Sequence, residues 1–534
     1  MAFNESHRSE VEYGRRQVCQ LAAPVILFMV VALLAPALAS TQEISPPVDR
    51  ESPQGRAIAI VGATLIDGNG GEPVADAVVL ISGERVVAVG PRAAVTIPPD
   101  ARIIDASGNY ITPGFIDTNV HLSLYGGNTN ARYETLVRYQ HRQPEIVLEN
   151  AQLELKYGVT TVRDSYGVLP PLLEVREAIR SGEAIGSRML VAGNIVGWGG
   201  PFSLTFSLIP EANLTLFQER VNDLIGQGAG EELMNLTPAE LRVAINDYLD
   251  KGVDFVKYGG TAHFAQPALI GFSPGQQRVI VEETHKRGLV AETHATSIEG
   301  LRLAVEAGID LIQHPEILTP RLMPDELARL IVEKGAICSM LVNTITGEAW
   351  QMHLEKKEEA EEKAAEEPGA RTGHQGVAAS RAKTSAERRR ERRDSEIDLE
   401  FRRRNAIKLI RAGCTVTVGT DNYRRAGPEL ARAPKPQNQD PGIGSIVAIE
   451  GLVELGMSPS QALVAATRNG ALACRALEEY GTLVAGKIAD LLILTDDPLA
   501  DIHHIRKLKT VMKAGRIVDT DKLPEQPIFY RSGR

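Results

Sequence analysis

Short apolar runs alternate with helical stretches along most of this chain, and glycine after glycine stands between a helix end and the next run. Thr237-Pro238-Ala239-Glu240 shows the grammar: a capping box with proline at the first helical position, a helix expected to reach Lys251, Gly252 as its C-terminal cap, and a strand from Asp254 to Val256. Ser273-Pro274-Gly275-Gln276 opens the next helix, Gly288 closes it, and Leu289 to Thr293 follows as a strand. Gly308 precedes Leu311-Ile312, Gly335 precedes Ala336 to Leu341, and Gly413 precedes Thr415 to Val418. With Phe115 to Val120, Val159 to Val162 and Met189 to Ala192, the count reaches about eight strands. Near-continuous apolar strands separated by helices imply a parallel sheet covered on both faces, and eight such units imply an α/β fold, a (β/α)8 TIM-type barrel over residues 113–484.

The chain ends read differently. Ala57 to Ile66, Ala77 to Ile81 and Val86 to Val89 are short runs broken by glycines, and Ala489 to Leu494 and Val511 to Val518 match them at the far end. Residues 57–112 and 485–534 are therefore expected to form one small β-sandwich domain. Ahead of it lie a Pro/Ser-rich linker, 40–56, and a leader, 1–39: Arg15 and Arg16, an uncharged stretch from Leu21 to Leu38, and the small-x-small site Ala37-Leu38-Ala39. Cleavage would leave a mature chain beginning near Ser40 in the periplasm or outside the cell; the alternative is an uncleaved anchor, since about 20 apolar residues span a bilayer. Within the barrel, residues 353–404 are dominated by Glu, Lys, Arg and Ala around Pro368, Gly369, Gly373 and Gly376. That charged insertion reads as a surface excursion or as a lid over the catalytic face.

A net charge of −10 excludes a phosphate-binding surface, so no nucleic-acid partner is expected. Cys338 and Cys414 lie inside apolar runs and read as small buried hydrophobes; neither a disulfide framework nor a Cys-x-x-Cys zinc motif is legible. The chemistry sits at the strand ends instead. His121, Lys257, His294, His314 and Asp421 each close an apolar run, and in a barrel these ends converge on one face. In Pro113-Gly114-Phe115-Ile116-Asp117-Thr118-Asn119-Val120-His121, period-two geometry puts Asn119 on the same side as His121. Lys257, ending an apolar strand, would be costly to bury charged, so its pKa should fall.

These stretches resemble the amidohydrolase superfamily, in its imidazolonepropionase-like and prolidase-like branch. The matching segments are Pro113 to Asp117, Gly158 to Asp164, Asp254 to Lys257, Glu292-Thr293-His294-Ala295, Gln313-His314-Pro315, Gly419-Thr420-Asp421, Ala466 to Ala471 and Gly486 to Leu491. The resemblance implies a metal-dependent hydrolase of carbon–nitrogen bonds, in an amide, a non-standard peptide or an N-acyl amino acid, acting by attack of a metal-bound hydroxide. It implies one or two divalent ions, zinc first, with carbamylated Lys257 as the bridge, His294 and His314 on one ion, and His121 and Asp421 on the other. Asp421 would be the catalytic base. The family's first strand ends His-x-His, whereas this one reads Asn119-Val120-His121, so Asn119 replaces an imidazole ligand and weakens one metal position. Tyr258 and His263 are candidates for substrate binding, and Arg163 with Asp164 for an ion pair at the barrel rim. A cyclic amide or lactone hydrolase, or a non-catalytic binding descendant, are the alternatives. The expected partner is a small-molecule amide, with membrane contact only through the leader and self-association into a homo-oligomer left open.

Overall fold

The computed structural model describes residues 56–125, 137–209, 211–263, 268–366, 399–424, 438 and 440–528. The leader and the linker up to residue 55 lie outside the described residues, as does the middle of the charged insertion, 367–398.

Five strands open the described chain: β1 (Ile58–Leu65), β2 (Val74–Ser82), β3 (Arg85–Pro91), β4 (Arg102–Asp105) and β5 (Tyr110–Pro113). Along β1 and β2 the side chains alternate between two apolar clusters. Ile60, Val79 and Ile81 enter one, and Ala59, Val61, Val78 and Leu80 the other, so both faces are covered. Nine strands follow: β6 (Phe115–Tyr125), β7 (Val159–Asp164), β8 (Arg188–Val191), β9 (Phe255–Gly259), β10 (Val290–His294), β11 (Leu311–Gln313), β12 (Ile337–Met340), β13 (Val416–Val418) and β14 (Asn422–Arg424). The last three, β15 (Leu491–Leu494), β16 (Leu508–Lys513) and β17 (Arg516–Val518), return to the opening sheet. β15 pairs antiparallel with β5, giving an eight-stranded sheet built from both ends of the chain. The run expected at Val511 to Val518 is a hairpin, turned at Ala514 and Gly515, whose φ of 48° and 72° suit a tight two-residue turn.

The middle strands form two parallel arcs, β14-β6-β7-β8 and β9-β10-β11-β12-β13. Their edges approach one another on both sides. The Asp254 amide donates to the Val191 carbonyl at 2.8 Å and Val196 bridges Tyr258; opposite, Thr118 Oγ1 donates to the Val418 carbonyl at 2.7 Å and the Asp421 amide to the Asn119 carbonyl at 2.7 Å. The chain folds as an α/β protein of TIM type. The helix grammar reads through into the structure: Thr237 with Glu240 and Ser273 with Gln276 both make reciprocal capping boxes. Gly335 closes the helix Asp325–Lys334 at φ 71°, where an L side chain would be strained.

Three expectations need correction. β6 does not stop at Val120 but runs buried to Tyr125, because β14 pairs with its far half, and His121 stands inside the strand rather than at its end. The charged insertion is bounded differently as well: one helix spans Gly347–Glu366, and the next, Leu399–Ala412, buries Arg402, Asn405, Ala406 and Leu409. Arg402 donates to Thr344 Oγ1 at 2.9 Å and to the Leu341 carbonyl at 3.2 Å, with Glu316 at 3.5 Å, so a helix that reads as basic and solvated is anchored in the core by a paired guanidinium. Finally, Cys338 and Cys414 are joined by a disulfide with an S–S distance of 2.06 Å. Cys338 lies on β12 and Cys414 just ahead of its neighbour β13, a juxtaposition that a separation of 76 positions conceals in the sequence.

Candidate metal and catalytic site

The candidate residues gather where β6, β9, β10, β11 and β13 deliver them. Lys257 on β9 is 2% exposed, His294 at the end of β10 is 6%, His314 directly after β11 is 3%, and His121 is 6%. His314 and Asp421 both occupy the left-handed region, at φ 38° and 54°, which is uncommon for residues other than glycine and is tolerated where the surroundings over-determine the backbone.

Asn119, His121 and Asp421 are joined by hydrogen bonds. Asp421 Oδ1 accepts from Asn119 Nδ2 at 3.0 Å and faces His121 Nε2 at 2.9 Å. The other ring nitrogen, His121 Nδ1, lies 3.0 Å from the Tyr166 carbonyl, to which only an N–H can donate. A neutral His121 therefore points a lone pair at a carboxylate oxygen, an arrangement that needs a proton or a cation between the two atoms. Asn119 Oδ1 accepts from the Ser165 hydroxyl, and Ser165 Oγ accepts from Lys257 Nζ at 3.1 Å. Burial pushes the Asp421 carboxyl upward, but His121, His314 and Lys257 outweigh it and hold the group well below the usual carboxylate range.

His294 and His314 face each other differently, with His294 Nδ1 3.0 Å from His314 Nε2. Burial is the main cause lowering both, His314 to about 3, so both rings are neutral at pH 7, the form a metal requires. A tetrahedral ion with bonds of about 2.0–2.1 Å holds neighbouring nitrogens about 3.3 Å apart, close to the spacing seen. Their outer nitrogens, His294 Nε2 and His314 Nδ1, are buried and have no hydrogen-bond partner among the described residues. Burial also draws the Lys257 amine below its ordinary value, against the pull of Glu292, Asp421 and Asp164. As they stand, no three His, Cys, Asp or Glu side chains among the described residues close around an ion. The donors form two pairs with a lysine beside them, and lysine becomes an oxygen ligand only after carbamylation. Neutral imidazoles, an ionised carboxylate and an amine whose pKa burial lowers nevertheless form a donor set that suits zinc or a similar divalent ion.

Asp117 supports the β6 side from beneath. Fully buried, it accepts from the amides of Asn119 at 3.0 Å and Thr420 at 3.2 Å, from Thr420 Oγ1 at 2.7 Å and from Ser445 Oγ at 2.7 Å, tying β6 to the loop that carries Asp421. Two sequence expectations fail here. Tyr258 follows Lys257 on the strand and so points to the opposite face, where its hydroxyl donates to Gln277 Oε1 at 3.1 Å and its ring meets Phe272. Arg163 and Asp164 do not pair at a rim: Arg163 makes a fully buried 2.6 Å ion pair with Glu292, while Asp164 accepts from the Leu122 amide at 2.6 Å and is pushed by burial up to about 8. His263 does lie beside the site, its ring centroid 6.0 Å from that of His294. The sequence reading missed Ser165, whose role is visible only across strands. It also missed Trp198, although one of just two tryptophans, set between Gly197 and Gly199 in the loop that follows β8, was a signal to follow.

Known proteins resemble this chain along most of its length. The chain is 32% identical to molinate hydrolase, whose structure superposes with a TM-score of 0.73 over 90% of this chain and 98% of that one. It is 24% identical over 467 residues to the ochratoxinase of Aspergillus niger, covering 85% of this chain and 84% of that protein. With the imidazolonepropionase of Symbiobacterium thermophilum it shares 26% over 495 residues, 85% of this chain and 94% of the other. Since the match to the family's own pattern runs from residue 110 to residue 518, this chain belongs to the amidohydrolase family.

Proposed function

We propose that this amidohydrolase, a hydrolase of carbon–nitrogen bonds as its relatives are, cleaves an amide-type bond in a small molecule with Asp421 as base and a divalent ion held first by Lys257, His294 and His314. His121 and Asp421, with Asn119 beside them, would hold a second and weaker ion, and zinc with a carbamylated Lys257 is the composition proposed. The observation that carries the reading is the 3.0 Å pair of neutral, buried imidazoles next to a carboxylate kept ionised. When bound, a divalent ion supplies Lewis acidity, polarising a carbonyl and bringing the pKa of a water toward about 7. Asp421, ionised and oriented by Asn119 and His121, takes a proton from the attacking water and returns it to the departing nitrogen. Asn119 acts through its amide: its nitrogen fixes Asp421 and its oxygen is committed to Ser165.

The same proposal takes the two arcs as one closed (β/α)8 barrel over 113–484 and the eight-stranded sheet as a small β-sandwich domain. It also places the mature protein, beginning near Ser40, in the periplasm or outside the cell, and the Cys338–Cys414 disulfide suits such an oxidising compartment. The test is metal content by mass spectrometry together with turnover on a panel of amides. At least one tightly held ion per chain and release of amine are expected, whereas a protein that stays empty and inactive after expression with added zinc rejects the site. N-terminal sequencing that returned Met1 or Ala2 on the folded protein would reject export.

A further inference from the structure

The loops after β8 and β9 stand over the site, and neither 192–210 nor 258–277 contains a single Asp, Glu, Lys or Arg, in a chain that is 24% charged. Their aromatic side chains, joined by Tyr166 from the loop after β7, make a continuous collar between two of the site's histidines. From His121 it passes to Tyr166 at 6.0 Å, then to Phe206 at 5.9 Å and Trp198 at 6.1 Å, and Trp198 meets His294 edge-on at 4.7 Å. His263 completes it, stacked on Phe206 at 4.2 Å with the rings 6° from parallel, and crossed by Trp198 at 5.4 Å.

The collar is fixed, not incidental. Trp198 Nε1 donates to the Thr261 carbonyl at 3.1 Å, and the His263 amide donates to the Thr205 carbonyl at 2.8 Å, so the two loops hold one another. Burial runs from the inside outward: Trp198 is 2% exposed and Tyr166 5%, Phe206 is half-buried, His263 is exposed, and Leu204, Leu269 and Ile270 on the same loops are 44%, 40% and 42% exposed. Loops on a solvent-facing rim ordinarily carry charge, and large apolar side chains left exposed beside a catalytic centre mark the surface that a ligand covers.

We infer that the substrate presents an uncharged, flat or branched apolar group, an aryl ring being the best fit, on the Tyr166–Trp198–Phe206 side of the scissile bond. Neither of these two loops offers a fixed cation to an amino-acid carboxylate on that side. This substrate class rests on the hydrolase reading above and narrows it. Phe206 and Trp198 are the specificity-determining residues, since edges and faces of aromatic rings attract a further ring and lose solvation to no purpose against a carboxylate.

The metal-loaded full chain is assayed on acetanilide and benzanilide against N-acetylglycine and hippurate. The neutral aryl amides should lead in kcat/KM by at least about tenfold, and Phe206→Ala should shrink that lead by about tenfold, chiefly through KM, with Phe206→Leu restoring part of it. A preference for the anionic amides, or an equal loss on both sets in Phe206→Ala, overturns the inference. Binding is read separately. The chain has two tryptophans, Trp198 and Trp350, so Trp350→Phe leaves Trp198 as the only indole. Acetanilide should quench its fluorescence at concentrations where N-acetylglycine does not. Quenching without turnover of any amide supports the collar while rejecting the hydrolase reading, and no quenching by either compound rejects the collar.

Discussion

On the β6 and β13 side of the site, Asn119, His121 and Asp421 satisfy one another through hydrogen bonds, and Asp117 and Ser165 brace them from below and beside. On the β9 to β11 side, among the described residues, the His294 and His314 rings hydrogen-bond only with each other, leaving two buried nitrogens unanswered, and the Lys257 amine only with Ser165. One half is a hydrogen-bond network in which a proton between His121 and Asp421 can stand in for a cation; the other holds donor atoms that hydrogen bonds leave unanswered. The difference teaches where an ion is required and where it is optional, and it assigns Asn119 to the network side, where its nitrogen donates to Asp421 and its oxygen accepts from Ser165.

The comparison breaks most visibly at Lys257 and His294. Replacing either by alanine should remove the tightly held ion and lower turnover by about 10³-fold or more, measured by metal analysis and steady-state kinetics, whereas His121→Ala should keep most of that ion. Next comes Asp421→Asn, which should reduce kcat by about 10²–10⁴-fold while the fold and metal content persist, because it removes the proton acceptor. Unchanged turnover would place the base elsewhere. Asn119→His should then raise the metal retained per chain after dialysis against a mild chelator, sharpening the contrast between the two positions; two ions already retained by the unaltered protein would erase it.

The smallest effect concerns the brace. Burial raises Asp117 to about 6, above its unfolded value near 3.9. The folded protein thus binds this proton more tightly than the unfolded chain, so the associated stability is complete below about pH 4 and lost as pH rises through about 6. Asp117→Asn should flatten that part of the stability profile in thermal melts at a series of pH values.

Much of this was legible because it is local. Capping boxes at Thr237 and Ser273 and the glycine at 335 declare helix ends within four or five residues, and the apolar runs between them declare strands. The metal-capable residues were legible for the same reason, each sitting within or just after such a run. What escaped was non-local or face-dependent. The Cys338–Cys414 bond, the Ser165 link to Asn119 and the Arg163–Glu292 pair all depend on which strand lies beside which. Tyr258 was misplaced by one step of strand alternation, and the anchored helix at Leu399 was hidden because composition does not reveal that a single arginine in it is buried.

The pairing of β5 with β15 sets a clock on folding. Residues 110–113 cannot complete their ladder until residues 491–494 exist, and β5 leads within two residues into β6, which carries Asn119 and His121. At about 5–20 residues per second of synthesis, that partner arrives roughly 20–75 s after its mate. The first strands must wait as an open edge for the whole of that interval, so a chain stopped between Asp421 and β15 would carry every candidate ligand and still lack the clasp that seats the first of them.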